Sequence, residues 1–582
     1  LFVKVDGIGG IMDASVETDR EAYLADLKQR IAAAWPEDMP RDPVYPFGQI
    51  CVPDYLRAWS DRKGDETAID FYGYPVSWAD LDRLSDAFAS FLATRDVGPG
   101  DRVAVFMPNC PQFSITFFGI LKRGAILVPV NPMVTGRELS HYLEDSGASL
   151  VVALDKLAPL VKEVDHDNAL TIVSTALREF LPADPAYPVP AGALDEPVDV
   201  HGVIPFSSAI STPVDESAMA EVSWNQIAAI NYTGGTTGLP KGCLHTHGDM
   251  IYTGACAATF CLPASETDVV LSYLPQFWIA GEVAGILLPL VSGCRLVLLS
   301  RWDASAVMAA IDRAGVTGMG ALTDGAVEIM DHPDVGEFDL RSLRETVVTS
   351  FVKILNPDYR RRWKALTGAV LRESSFGMTE TNTLDTFTTG LQADDADITG
   401  EPLFVGLPCP GAEFIIVDPE TGRPVAHGEP GEILMRTPSL MKGYWGVRGQ
   451  ADDSPIRDGW LHTGDTGVID ERGGIYFRGR RKEMLKVNGM SVFPTELEIS
   501  ISRHPAVAVC GVVGRPDDRK GQVPVAFVQI DDDAPGPVTA EDLSAWCREN
   551  MASYKVPEIR FIAQMPLTDT GKVKRNALLD AL

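Results

Sequence analysis

The chain has 582 residues, 45% of them apolar and 22% charged, and a formal net charge of −30. Single cores stop growing near about 250–300 residues, so at least two domains are expected, and the apolar share excludes a broadly disordered chain. The acidic balance argues against a nucleic-acid partner, whose phosphates it would repel, and requires that an anionic ligand meet a local cluster of positive charge.

No apolar run approaches the roughly 18 residues of a membrane-spanning helix, VAGILLPLV at 283–291 being among the longest. No integral membrane segment is expected, and peripheral contact stays open. Nine cysteines are scattered from Cys51 to Cys547 without a C-x-x-C pair or metal-ligand spacing, which points to a reducing, cytoplasmic setting. The N-terminal stretch lacks the basic start and apolar centre of a secretory signal. Residues 1–11, ahead of Met12, are left out of the fold argument, and 1–45 are read as an N-terminal extension.

From about residue 76 helix and strand signals alternate. SWADLDRLSDAFASFL (77–92) places Trp78, Leu81, Leu84, Phe88 and Phe91 at helical spacing, with Ser77 and Asp80 as a capping box. RVAVFMP (102–108) predicts a strand, PQFSITFFGILKRG (111–124) a helix closed by Gly124, and AILVPV (125–130) and SLVVAL (149–154) two more strands. Apolar runs without polar alternation predict mainly parallel sheets covered on both faces. From about residue 400, short strands and Gly/Pro-rich turns predict an antiparallel subdomain. The last hundred residues, with strands at 524–530 and 558–563 and a helix at 540–551, read as a small α+β domain. The expected fold class is therefore α/β: a large domain at 46–479 with its β-rich part at about 400–479, then the small domain at 483–582.

NYTGGTTGLPKGCLHTHGDM (231–250) gathers glycines, hydroxyls and a lysine. Backbone N–H groups approach polyphosphate oxygens only where side chains are absent, so a phosphate loop is one reading and a flexible surface loop the other. It is not the generic G-x-x-x-x-G-K-[ST] loop, because neither Gly234 nor Gly235 has a glycine five positions on and Gly242 follows Lys241. G-x-G-x-x-G occurs nowhere in the chain. His245 and His247 form an i, i+2 pair without a third ligand, which is weak as a metal site.

YTGGTTGLPKG (232–242) resembles the signature of the adenylate-forming superfamily: acyl-CoA synthetases, firefly-type luciferases and adenylation domains of peptide synthetases. FGMTET (376–381), GWLHTGDTG (459–467), GRRKEMLKVNGMSVFPTELE (479–498) and TDTGKVKR (568–575) resemble its later motifs in order, and MKGYW (441–445) also matches. The resemblance spans roughly residues 50–580 and is closest in kind to acid–CoA ligases. It implies that acid and ATP give acyl-AMP and pyrophosphate, and that CoA then gives acyl-CoA and AMP, with Mg²⁺ as cofactor.

Attack of a carboxylate on the α-phosphate joins two anions, so the site must neutralise charge and fix geometry. By resemblance, Thr233, Gly234, Gly235, Thr236, Thr237 and Gly238 cradle the β- and γ-phosphates with Lys241. Glu380, aided by Thr237, holds Mg²⁺, and Thr379 contacts the α-phosphate. Phe376, before Gly377, stands where the family usually stacks a tyrosine on adenine; its ring keeps the stacking face. Asp465 is implied to accept both ribose hydroxyls, Arg480 to reach the same sugar, and Lys572 to bridge the carboxylate and α-phosphate oxygens. For thioester formation the small, mobile domain is implied to turn about a hinge at 480–482, at Lys482. Lys486 and Gly489 of KVNG would then line the pantetheine channel, which a side chain at 489 would block.

Two stretches depart from the family pattern. Val348, Thr349, Ser350, Phe351, Val352 and Lys353 replace a turn of small residues beside adenine, and Trp278 in LPQFWIAGE replaces a common histidine. The acyl group is expected among Trp278, Gly281, Gly320 in GMGALTDG, and Ser375. Glu282 and Asp324 either face that pocket, favouring a hydroxylated or cationic acid, or pair with arginine or cap helices. A medium- or long-chain aliphatic acid is the leading substrate, with an aryl or alicyclic acid next. A carrier-protein acceptor, a luciferase-like oxygenase and a non-catalytic nucleotide or acyl sensor are the alternatives. No carrier segment follows Leu582, which favours CoA, and the presence together of Lys241, Glu380, Asp465 and Lys572 argues against a sensor. Small-molecule acid, ATP and CoA are the expected partners, and a homodimer is an open expectation.

Overall fold

The structure is a computed structural model that describes residues 14–167, 169–233, 240–399, 403–446, 454–488, 490–517, 519–532, 534, 536–568 and 571–582. Two seven-stranded sheets dominate the first 370 or so residues. One runs in the order Ile204–Pro205, Thr171–Thr175, Leu150–Leu154, Arg102–Phe106, Ile126–Pro129, Ile227–Tyr232, Gly242–Thr246, and all its pairs are parallel except the last. The other runs Val370–Glu373, Glu345–Thr349, Gly318–Leu322, Val269–Ser272, Arg295–Leu298, Thr67–Phe71, Tyr74–Ser77, again antiparallel only at its last pair.

Parallel strands buried on both faces lack polar alternation. Val103, Ala104, Val105 and Phe106 are accordingly all fully buried. Helix Pro111–Lys122 is buried along its whole length, with Pro111 in its first turn and Gly124 just beyond its end at φ +69°. Its buried Lys122 ammonium is held by the Asp82 carbonyl at 2.8 Å and Asp86 Oδ1 at 2.7 Å. Helix Trp78–Ala93 starts as expected, Ser77 Oγ accepting the Asp80 N–H at 3.0 Å. The return contact differs from a capping box: the Ser77 hydroxyl, rather than its N–H, donates to Asp80 Oδ2 at 2.9 Å.

The β-rich part is an antiparallel sheet in the order Thr386–Phe387, Leu403–Pro408, Ile475–Arg480, Trp460–Ile469, Gly431–Arg436, Glu413–Val417, with Ile456–Arg457 added beside Trp460–Ile469. It starts earlier in the chain than the turn-rich texture indicates. Helix Ala14–Ala34, in the stretch read as an extension, packs on it: Leu24 and Leu27 are buried, and the Arg20 guanidinium donates to the Gly422 carbonyl at 2.9 Å. A final sheet joins Met490–Val492, Leu485–Val487, Gly521–Ile530 and Val507–Asp517, with Glu558–Phe561 parallel to Gly521–Ile530. Helix Ala540–Asn550 lies in the same region, where the sequence places it. Among the described residues no helix is long and apolar enough to cross a membrane.

Candidate active site

The phosphate-loop candidate joins two antiparallel strands in which Tyr232 faces Gly242. Its neck is closed by two hydrogen bonds, Thr233 N–H to the Lys241 carbonyl at 2.9 Å and Lys241 N–H to Thr233 Oγ1 at 3.2 Å. Gly234, Gly235, Thr236, Thr237 and Gly238 lie outside the described residues. Lys241 Nζ sits 5.1 Å from the centre of the Tyr444 ring, and the Tyr444 hydroxyl donates to Glu380 Oε1 at 2.8 Å. Tyr444 therefore ties the loop lysine to the carboxylate expected to meet Mg²⁺.

Thr379 and Glu380 begin a short 3-10 turn that leaves through Asn382 and Thr383, both at positive φ. A Cβ on Gly377 would lie 2.0 Å from the Thr383 carbonyl oxygen, so this turn admits only glycine there. His245 Nε2 lies 2.7 Å from the Thr379 carbonyl oxygen, and its Nδ1 lies 3.6 Å from Asp249 Oδ2. Lys442 Nζ reaches the other Asp249 oxygen at 2.9 Å. Burial would raise the Asp249 pKa, but the His245 contact and the Lys442 charge outweigh it and hold it below the usual range. His247 is buried, which pushes its pKa down to about 4. The two histidines thus serve packing and turn geometry, and among the described residues no group of three His, Cys, Asp or Glu side chains gathers to hold a metal.

Asp465 and Arg480 face each other on neighbouring strands. Arg480 Nε stands 2.9 Å from Asp465 Oδ1, yet the angle leaves that buried oxygen without a hydrogen bond. Burial raises the Asp465 pKa to about 6; Arg480 and then Lys572 pull it down, while Glu483 and Glu380 push it up. The Lys572 N–H donates to Thr568 Oγ1 at 3.0 Å and its carbonyl accepts the Thr568 N–H at 2.6 Å. The side chain stays accessible to water, but the cleft desolvates its ammonium and lowers its pKa. Arg480 lowers it further, against Asp465 and Glu483.

Phe376 lies at 8% exposure in the core of the antiparallel sheet, 6.2 Å from Phe414 and 6.0 Å from Phe477, ring centre to ring centre. Phe351, at 38% exposure, is the more open aromatic face, with Lys572 Nζ 4.7 Å from its ring centre. Lys482 is exposed in the turn Arg481–Glu483, and Lys486 is exposed on the hairpin strand Leu485–Val487. Gly489 lies outside the described residues.

In the acyl region, Trp278 precedes the short helix Ile279–Glu282 and packs edge-on against Phe277. A Cβ on Gly281 would fall 1.9 Å from the Pro275 carbonyl oxygen, so close backbone approach already accounts for this glycine. Gly320 is less constrained, its nearest neighbour being Val347 at 3.6 Å, and Ser375 is half-buried beside Cys261. Among the described residues Glu282 pairs with no arginine: Oε2 accepts from Asn231 Nδ2 at 2.8 Å, Oε1 is buried without a partner, and burial raises its pKa to about 7. Asp324 accepts the Lys353 N–H at 3.3 Å, and burial raises its pKa against the Lys353 charge.

The profile of the AMP-binding enzyme family matches residues 56–445, and that of the AMP-binding enzyme C-terminal domain matches 496–572. The chain belongs to the AMP-binding enzyme family. It is 31% identical over 564 residues to a long-chain-fatty-acid–CoA ligase of Bacillus subtilis (strain 168), covering 94% of this chain and 97% of the relative. It is 32% identical over 537 residues to the 3-[(3aS,4S,7aS)-7a-methyl-1,5-dioxo-octahydro-1H-inden-4-yl]propanoyl:CoA ligase of Rhodococcus jostii (strain RHA1), covering 90% of this chain and 98% of the relative. The crystal structure of the anthranilate CoA ligase AuaEII in complex with anthranoyl-AMP superposes with a TM-score of 0.77 at 27% identity, covering 93% of this chain and 98% of that one. This enzyme is an AMP-forming member of the acid–CoA ligase superfamily, with the mixed α/β architecture its motifs imply.

Sequence reasoning gave no role to Tyr444, which MKGYW contains, because a contact across 64 residues leaves no spacing signal. It likewise missed the line from Lys442 through Asp249 and His245 to the Thr379 carbonyl. The i, i+4 placement of His245 and Asp249 at a helix start was the one readable clue.

Proposed function

We propose that this enzyme joins a medium- or long-chain aliphatic acid to CoA through an acyl-adenylate. The observation that carries the reading is the buried Asp465 carboxylate with Arg480 Nε 2.9 Å away and with Lys572, from a segment far along the chain, near enough for its charge to act on it. In the first step an acid oxygen bonds to the α-phosphorus as the bond to the pyrophosphate oxygen breaks. Lys572 stabilises the charge that develops between the two anions, where a preorganised cation in a low-dielectric site acts most strongly. The buried Asp465 oxygen without a hydrogen bond suits the ribose hydroxyls, and Arg480 stands beside it. Lys241 and Thr233, at the neck of the loop, would meet the outer phosphates.

A hard divalent cation takes oxygen ligands and shares substrate phosphates, so Glu380, oriented by Tyr444, would hold Mg²⁺ together with the nucleotide. When bound, that ion neutralises phosphate charge. In the second step the CoA sulfur bonds to the acyl carbon, the bond to the AMP oxygen breaks, and the thiol proton passes to water. Rotation at Lys482 would withdraw Lys572 and present Lys486 and Gly489 to the thiol.

The aliphatic substrate is supported by the long-chain ligase relative and by the apolar Trp278–Phe277 pair in the segment where the acyl group is expected. A ring acid bearing a polar group is the second reading, favoured by the buried Glu282–Asn231 pair and by the Rhodococcus relative, whose name carries a bicyclic acid. The test is mass spectrometry of products from ATP, Mg²⁺, CoA and a panel of aliphatic, hydroxylated, aryl and alicyclic acids. Acyl-CoA with AMP from aliphatic acids is expected. Consumption of ring acids alone would select the second reading, and acyl-AMP that leaves CoA untouched would reject the CoA acceptor.

A further inference from the structure

The turn after strand Glu345–Thr349 is held on several sides. Ser350 N–H and Oγ–H donate to the two Glu373 oxygens at 3.0 and 2.6 Å, its Oγ accepts the Leu355 N–H at 3.0 Å, and the Thr323 hydroxyl lies 3.1 Å away. Asp324 accepts the Lys353 N–H on the far side of the turn. Between these anchors Phe351 projects into the cleft, and its ring meets the Lys572 ammonium at 4.7 Å. Two residues on, Lys353 Nζ lies 3.7 Å from Asp531 Oδ2. Both contacts join this turn to segments that follow residue 530.

We propose that Phe351 is a positioning residue for Lys572, and that Phe351 and Lys353 together form a platform for the pose in which adenylate is made. This rests on the reading of Lys572 as the adenylating lysine. A lysine carries a flexible four-carbon stem, and an aromatic face attracts its ammonium without supplying a counter-charge or a proton acceptor. A carboxylate at this place would quench the charge that must meet the acid and the α-phosphate. A ring restricts the stem and leaves the charge intact. The contact exists only while Lys572 is in the cleft, so it bears on adenylate formation and not on thioester formation.

The two half-reactions separate the possibilities. Phe351→Leu keeps apolar bulk and removes the π face; single-turnover acyl-AMP formation should fall by about two- to fivefold. KM for ATP should rise by no more than that factor, and CoA capture of supplied acyl-AMP should be no slower. Phe351→Tyr should restore the rate, and Lys353→Ala should give a smaller loss confined to the same step. Adenylation by Phe351→Leu at the wild-type rate would overturn the proposal. So would equal losses in both steps, or a raised KM for ATP at unchanged kcat, which would make Phe351 a nucleotide contact. Lys572→Ala is the control: if it still forms adenylate, the functional reading itself fails, whatever Phe351 does.

Discussion

Asp465→Asn exchanges a buried carboxylate for its neutral isostere beside Arg480. The folded protein raises the Asp465 pKa from the ordinary 3.8 to about 6, chiefly by desolvation, with the attraction of Arg480 and Lys572 already included. A raised carboxylate pKa means that the folded chain binds the proton more tightly than the unfolded chain does. The ionised group is therefore destabilising; the penalty grows as pH rises from about 4 to about 6 and is constant above that. At 1.36 kcal/mol per tenfold, the penalty is about 3 kcal/mol at pH 8 and about 2 kcal/mol at pH 5.5. Asparagine escapes it, so the variant should be more stable in urea unfolding, by more at pH 8 than at pH 5.5. If Asp465 has its proposed role as acceptor for the ribose hydroxyls, the variant should also bind ATP about ten- to hundredfold more weakly by calorimetry. A variant that is less stable at pH 8, or whose advantage grows as pH falls, would refute the assignment of this group as a desolvated carboxylate kept for its ligand.

The same titration predicts that KM for ATP rises below pH 6 in the wild type, by up to about tenfold per pH unit, as protonation removes the acceptor; a profile flat down to pH 5 would contradict it. Lys572→Ala should slow acyl-AMP formation by about a hundredfold or more and largely spare CoA capture of supplied acyl-AMP, measured by half-reaction kinetics. Tyr444→Phe removes the hydroxyl on Glu380 and should raise the Mg²⁺ and ATP requirement by about tenfold in steady-state titrations. Gly281→Ala places a Cβ against the Pro275 carbonyl and should lower unfolding stability by about 1–3 kcal/mol, whichever acid is bound.

Elements were legible where a local pattern decides them. Strand Leu150–Leu154 and the strand Arg102–Phe106 after its first residue are continuous apolar runs, and helix Pro111–Lys122 carries proline in its first turn and glycine just past its end. Helix Ala14–Ala34 escaped because its buried side is thin: Leu24 and Leu27 among charged neighbours signal little until the sheet they cover is known. The same division runs through the site. Asp465, Arg480 and Lys572 stood out because their motifs are short and distinctive, whereas Tyr444, His245 and Asp249 meet their partners through contacts that only the fold creates. Gly281 shows the converse limit. A glycine beside an expected pocket reads as room for substrate, yet a carbonyl 1.9 Å from its missing Cβ already requires it.

The departures from family pattern and the electrostatics of the cleft bear on one another. Arg480 ends a strand of the antiparallel sheet and Lys572 arrives on a turn almost a hundred residues later, so the docked pose brings two cations to one place. Arg480 is the second cause, after desolvation, of the lowered Lys572 pKa, and Asp465 and Glu483 oppose it. In the proposed reaction the polyphosphate and the acid carboxylate would add negative charge there, so ATP would favour docking and, by linkage, docking would tighten ATP by the same factor. Before the nucleotide arrives, Asp465 and Glu483 oppose the repulsion from Arg480, and holding the ammonium's place then requires an attraction that adds no further counter-charge to compete with the ligand. An aromatic face in a turn fixed by Ser350 and Glu373 meets that requirement, which gives the bulky 348–353 segment a physical reason to differ from a turn of small residues.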